Sequence, residues 1–126
     1  MIKLTIPGRP IPYTRMTQKS KYVNKSAIKY LAYKDSIGWE AKAQKIKSIG
    51  NIEFEIEVIV YLAGGGINRM GSDGDIDNYV KAALDGLQGI AFNNDRMCFK
   101  CIGEKIIIRE VKQQRMEITI KEYELK

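Results

Sequence analysis

The chain reads as an α/β protein, a single mixed β-sheet with about two helices packed on it, in the order β-α-β-α-β-β. Three observations lead to that class. Apolar and polar residues alternate at strand period near the start, the middle and the end of the chain. Apolar residues recur at helical spacing in two stretches between those strands. The length of 126 residues sets one domain, 1–126, as the default, enough to bury about two thirds of the unfolded chain's surface.

In the first strand, Ile2, Leu4 and Ile6 alternate with Lys3 and Thr5, and Pro7-Gly8 and Pro10 stop it. Residues 7–25 read as a loop in which Arg9, Arg15, Lys19, Lys21 and Lys25 are interleaved with Tyr13 and Tyr22. Ser26 is the expected N-cap of a helix running to about Ile49, and Gly50 is its stop. Ile28, Leu31, Ala32, Trp39 and Ala43 are its apolar positions, so Trp39 is expected to pack. A second strand spans about Ile52 to Leu62, and Glu53, Glu55 and Glu57 on one of its faces are expected to be solvated. Gly64-Gly65-Gly66 and the loop to Gly74 lead to a second helix from Asp77 to near Gln88, with Ile76, Val80, Leu84 and Leu87 as its buried stripe. Strands at about Met97–Glu110 and Met116–Glu122 close the domain.

Composition removes whole classes of chemistry. The chain has no histidine, so Ser-His-Asp triads, Cys-His pairs, histidine bases and the commonest zinc sites are all excluded. Cys98 and Cys101 lie in a strand-like run, where positions three apart point to opposite faces. A disulfide is awkward there, zinc would lack two ligands, and reduced structural thiols are the expectation. The longest apolar stretch, around Val58 to Ala63, is far below the roughly 18 residues of a membrane span. The opening residues alternate like a strand rather than a signal peptide, so a soluble cytoplasmic protein is expected.

The net charge of +6 is unevenly spread. Residues 1–50 carry eleven Lys and Arg against Asp35 and Glu40, a balance of +9, whereas residues 51–126 balance at −3. A basic half of this kind suits a polyanion, because lysines along a phosphate backbone release condensed counterions.

Against that background, Asp75-Ile76-Asp77-Asn78, with Lys81 and then Asp95, concentrates the chemical capacity of the chain. Asp75 falls just before a helix, where backbone N–H groups and the dipole favour anions, and Asp77, Lys81 and Asp85 recur every four residues. The expected helix is about 18 Å long at about 1.5 Å per residue, and the steps from Gln88 to Asp95 reach about 23 Å when extended. Asp95 therefore has the reach to return beside Asp75 and Asp77. Three oxygen donors with no nitrogen or thiolate suit a hard cation, Mg²⁺ or Mn²⁺, which bridges a phosphodiester and activates water. The plain alternative is a capping aspartate plus an Asp77–Lys81 helix ion pair worth about 0.3–0.5 kcal/mol. An EF-hand is excluded, since Asp73, Asp75 and Asp77 alternate suitably but Asn78 and Leu84 stand where glycine and glutamate are required.

The run from Asp75 to Leu87, followed by Phe92-Asn93-Asn94-Asp95, resembles the RusA family of Holliday junction resolvases, whose pattern is Asp-x-Asp-Asn-x-x-Lys-x-x-x-Asp-x-Leu with a further acid following. The close match covers about 21 residues. The N-terminal strand, the Gly-x-Pro loop and the closing strands are compatible with it. The resemblance implies a small homodimeric endonuclease, often prophage-encoded, that nicks four-way DNA junctions symmetrically using Mg²⁺ in recombination and repair. It implies Asp75, Asp77 and Asp95 as metal-binding catalytic carboxylates and Lys81 as the catalytic lysine. Arg9, Arg15 and Lys19 lie where DNA contacts are expected. Where the family often has two adjacent acids, Asn94 precedes Asp95 here. A non-catalytic junction or duplex DNA-binding protein, and a metal nuclease acting on flaps or single strands, stand as alternatives.

Overall fold

The alternating runs form strands β1 (Ile2–Pro7), β2 (Phe54–Ala63), β3 (Cys98–Ile108) and β4 (Arg115–Glu122). The helical runs form α1 (Lys25–Ala43) and α2 (Ile76–Leu87), and short 3₁₀ turns occupy Asp95–Met97 and Val111–Gln113. The computed structural model describes residues 1–17, 24–64 and 74–125. The expected order β-α-β-α-β-β holds.

The strands make one mixed sheet in the order β1-β4-β2-β3. β4 pairs antiparallel with β1 and β2, while β3 runs parallel to β2. Parallel neighbours need a long crossover, and α2 supplies it. Period two then sorts the side chains: Leu4, Ile6, Ile56, Val58, Val60, Ile118 and Ile120 are buried in one core beneath the helices. Glu55 and Glu57 lie on the opposite sheet face, but they are half-buried rather than solvated: the Glu55 side chain is 13% exposed, with Lys121 Nζ 3.6 Å away.

Helix α1 departs from the sequence reading at both ends and in its facing. Its cap is Asn24, whose Oδ1 accepts from Ser26 N (2.8 Å) and Ala27 N (3.2 Å). It ends at Ala43 rather than near Ile49, because Lys45 takes a left-handed φ of 57° and turns the chain back. Its buried side chains are Ala27, Tyr30, Tyr33, Ile37 and Ala41, whereas Ile28 and Trp39 face solvent. The helices meet at a close approach: a Cβ on Gly86 would stand 2.8 Å from Ile37 Cβ. Among the described residues no helix is long and apolar enough to cross a membrane.

Gly86→Ala should lower stability by about 1–3 kcal/mol, as overpacking does, read as a reduced urea midpoint. Tyr33 carries a buried hydroxyl with no hydrogen-bond partner, so Tyr33→Phe should raise stability by about 1 kcal/mol. Burial also raises the Tyr33 and Tyr30 hydroxyls above their usual range. Unfolded tyrosines ionise near pH ~10 while these stay neutral, so the stabilisation is complete below pH ~10 and falls as pH rises beyond it. Denaturation across about pH 8 to 11, which brackets tyrosine ionisation, should show that decline, shallower in Tyr33→Phe.

Candidate active site

The start of α2 is built by a loop strapped across it. A Cβ on Gly74 would stand 2.6 Å from Pro12 Cγ, so only glycine admits the Pro12 ring there. Tyr13 N donates to Asn78 O (2.9 Å), Gly74 N donates to the Tyr79 hydroxyl (3.1 Å), and Lys105 Nζ donates to Gly74 O (3.1 Å). Asp75 is the N-cap in extended geometry (φ −73°, ψ 146°), and its carboxylate makes no capping bond. Asp77 lies exposed in the first turn. Both carboxylates thus stand at the positive end of the helix dipole. A cavity of about 420 Å³ adjoins Asp75 and is lined by Tyr13, Thr14, Ser26, Lys29 and Asn78.

Lys81 is held by a closed ring of side chains. Its Nζ lies 4.8 Å from the centroid of the Tyr13 ring and 3.7 Å from Asp85 Oδ1. Asp85 Oδ2 accepts a 2.7 Å hydrogen bond from the Tyr30 hydroxyl. Tyr30 in turn packs edge-on against Tyr13, with centroids 5.3 Å apart at 86°. The Lys81–Asp85 pair is too exposed, at 47% and 26%, to stabilise by more than about 0.5 kcal/mol. Its effect is to position the ammonium. Lysine pairs with Asp85 rather than with Asp77, and this leaves Asp77 uncommitted among the described residues.

Asp95 does not return to this end. Its amide donates to Gln88 Oε1 (3.1 Å), beside the C-terminus of α2. The helix, about 18 Å long, therefore separates it from Asp75 and Asp77. The cause lies in the sheet: Phe92 is buried and stacks on Phe54 at 4.5 Å, and parallel pairing sets Cys98 beside Phe54 at the start of β2. Among the described residues, no three Asp, Glu, Cys or His side chains are gathered into a metal site.

The three basic candidates divide. Arg9 is built into the fold, its Nη1 donating to Ala63 O (3.0 Å) and Gln114 Oε1 (2.7 Å). Arg15 is exposed on the loop, and Lys19 lies outside the described residues. The cysteines correct a further expectation. A bulge shifts the β2–β3 register between Phe54 and Glu55, turning Cys98 and Cys101 to the same side with Sγ atoms 3.5 Å apart. Burial, reinforced by Cys101, pushes the Cys98 thiol up to about 12, so it is not a thiolate.

Sequence reasoning missed Asp85, Tyr13 and Tyr30 as the holders of Lys81. The four-residue spacing of Lys81 and Asp85 was a visible signal for the first. The tyrosines meet only through the packing of α1 on α2, which spacing does not reveal.

In comparison with known proteins, the family model described as "Endodeoxyribonuclease RusA" matches residues 7–121. No curated protein matches the chain.

Tyr30→Phe removes a hydrogen bond to a carboxylate that is partly solvated, and should lower stability by about 1–2 kcal/mol. Chemical denaturation checks this, with Tyr13→Leu as the companion that opens the same ring from the other side.

Proposed function

The chain belongs to the endodeoxyribonuclease RusA family, and from that membership we propose a Mg²⁺-dependent homodimer that resolves four-way DNA junctions by paired symmetric nicks, in recombination and repair. The observation that carries the reading is Asp75, whose carboxylate makes no capping bond, with Asp77 exposed in the first turn, one turn from a lysine clamped by Asp85 and Tyr13.

The donor chemistry of this pair fits the proposed ion. Two hard oxygen donors at a helix N-terminus, with no imidazole or thiolate beside them, suit Mg²⁺ or Mn²⁺. When bound, such an ion supplies a lowered pKa for water and neutralises charge on a phosphodiester. The protein's own groups do the rest. Lys81 offers a fixed positive charge to a phosphoryl oxygen, and the Tyr13–Asp85 clamp limits where its ammonium stands. The basic first half draws the DNA in.

Dimerisation supplies what one chain lacks. Strand β3 is an edge strand, exposed along most of its length. Antiparallel pairing of two such edges lays the Asp95 end of each chain alongside the Asp75 end of its partner. Each metal site would then take Asp75 and Asp77 from one protomer and Asp95 from the other. Two sites related by a dyad nick two opposing strands.

A binding protein without catalysis is the second reading, favoured by the distance of Asp95 from the other acids in a single chain. Asp77→Asn should retain junction binding and lose nicking in Mg²⁺; full cleavage by this variant removes the metal-site reading. For the unaltered chain, junction binding without nicks in Mg²⁺ or Mn²⁺ favours the binder, and flaps cut faster than junctions favour a different nuclease. Junction affinity should fall steeply between 50 and 200 mM salt, by about 10³-fold or more for six or more phosphate contacts.

A further inference from the structure

The chain has one tryptophan, and the structure leaves it 72% exposed on α1. That is unusual placement for the side chain with the most apolar area to hide. Trp39 is not an isolated surface residue. It forms one wall of a cleft of about 270 Å³ between α1 and α2, with Gly38, Gly86 and Ile90 among the lining and Lys34 and Lys42 also lining it. Lys42 Nζ lies 5.7 Å from the centroid of the indole ring.

The cleft also connects to the candidate active site. Asp85 lines it, and the same carboxylate holds Lys81 and receives the Tyr30 hydroxyl. The charged lining of the cleft is balanced, Lys34 and Lys42 against Asp35 and Asp85, but the stretch of chain that carries Trp39 is positive. From Lys25 to Lys47 the chain carries six lysines against Asp35 and Glu40. A flat aromatic face between lysines is the arrangement that binds an unstacked base while its phosphate is neutralised nearby. A protein partner for the same indole would not call for that concentration of lysine.

We propose that Trp39 and the cleft beside it bind an unpaired nucleobase of the DNA substrate, with Lys34 and Lys42 meeting the adjoining phosphates. This rests on the DNA-nuclease reading above and adds a place for a base unstacked near the branch. A fully paired duplex has no such base to offer. The site therefore favours branched and single-stranded DNA over duplex.

The single indole makes the test direct. Intrinsic fluorescence of the Asp77→Asn protein is followed while a four-way junction, a single-stranded oligonucleotide or a matched duplex is added. The junction and the single strand should quench the emission, and the duplex should not. Trp39→Ala should weaken single-strand and junction affinity by about 5- to 100-fold, the contribution of one stacked base, and Trp39→Phe should restore most of it. Retained DNA binding with unchanged emission, or with the same affinity in Trp39→Ala, overturns the proposal and leaves the nuclease reading standing. Emission that changes with protein concentration alone also overturns it, and assigns the indole to contact between copies. Failure of the unaltered chain to bind any of the three DNAs overturns both readings together.

Discussion

The parallel pairing of β2 with β3 is the constraint on which the rest of the molecule depends. It forces the chain to cross back between them, and α2 is that crossing. The N-terminus of α2 therefore opens at the end of the sheet where β2 finishes, and Asp95 is delivered to the opposite end, where β3 starts beside Phe54. Buried Phe92 stacked on Phe54 anchors the turn between helix and strand. The positions of the acidic residues follow from this topology rather than from their proximity in sequence.

A second layer of constraint acts on Lys81. A long, exposed lysine on a helix surface is ordinarily mobile, and an ion pair with Asp85 alone would hold it weakly. The Tyr13 ring on one side, and Asp85 fixed by the Tyr30 hydroxyl on the other, define where the ammonium stands. The same Tyr13 ties its backbone to Asn78, next to Asp77. The loop that follows β1 thereby shapes both the lysine and the start of the helix that carries the aspartates.

Much of this was legible in the sequence, and the exceptions have physical causes. Strand alternation at positions such as Leu4, Val58 and Ile118 marked the core face of the sheet correctly. The spacing of Asp75, Asp77 and Lys81 marked the start of α2. The facing of α1 was not legible, because it carries apolar residues on two sides: Tyr30, Tyr33 and Ile37 are buried while Ile28 and Trp39 are not. Reach arithmetic bounded how far Asp95 can travel but not its direction, which the parallel register decides. The bulge beside Phe99, which brings the two cysteines together, had no signature in residue spacing.

The central claim is that the acids separated by α2 in one chain act together across a dimer. Mixing Asp75→Asn protein with Asp95→Asn protein, after each is shown to be inactive alone, tests it on a four-way junction in Mg²⁺. If the sites are shared, a mixed dimer contains one site with every carboxylate intact, and nicking of one strand returns. If each chain holds its own complete site, every site in the mixture carries a lesion, and the absence of nicking contradicts the account.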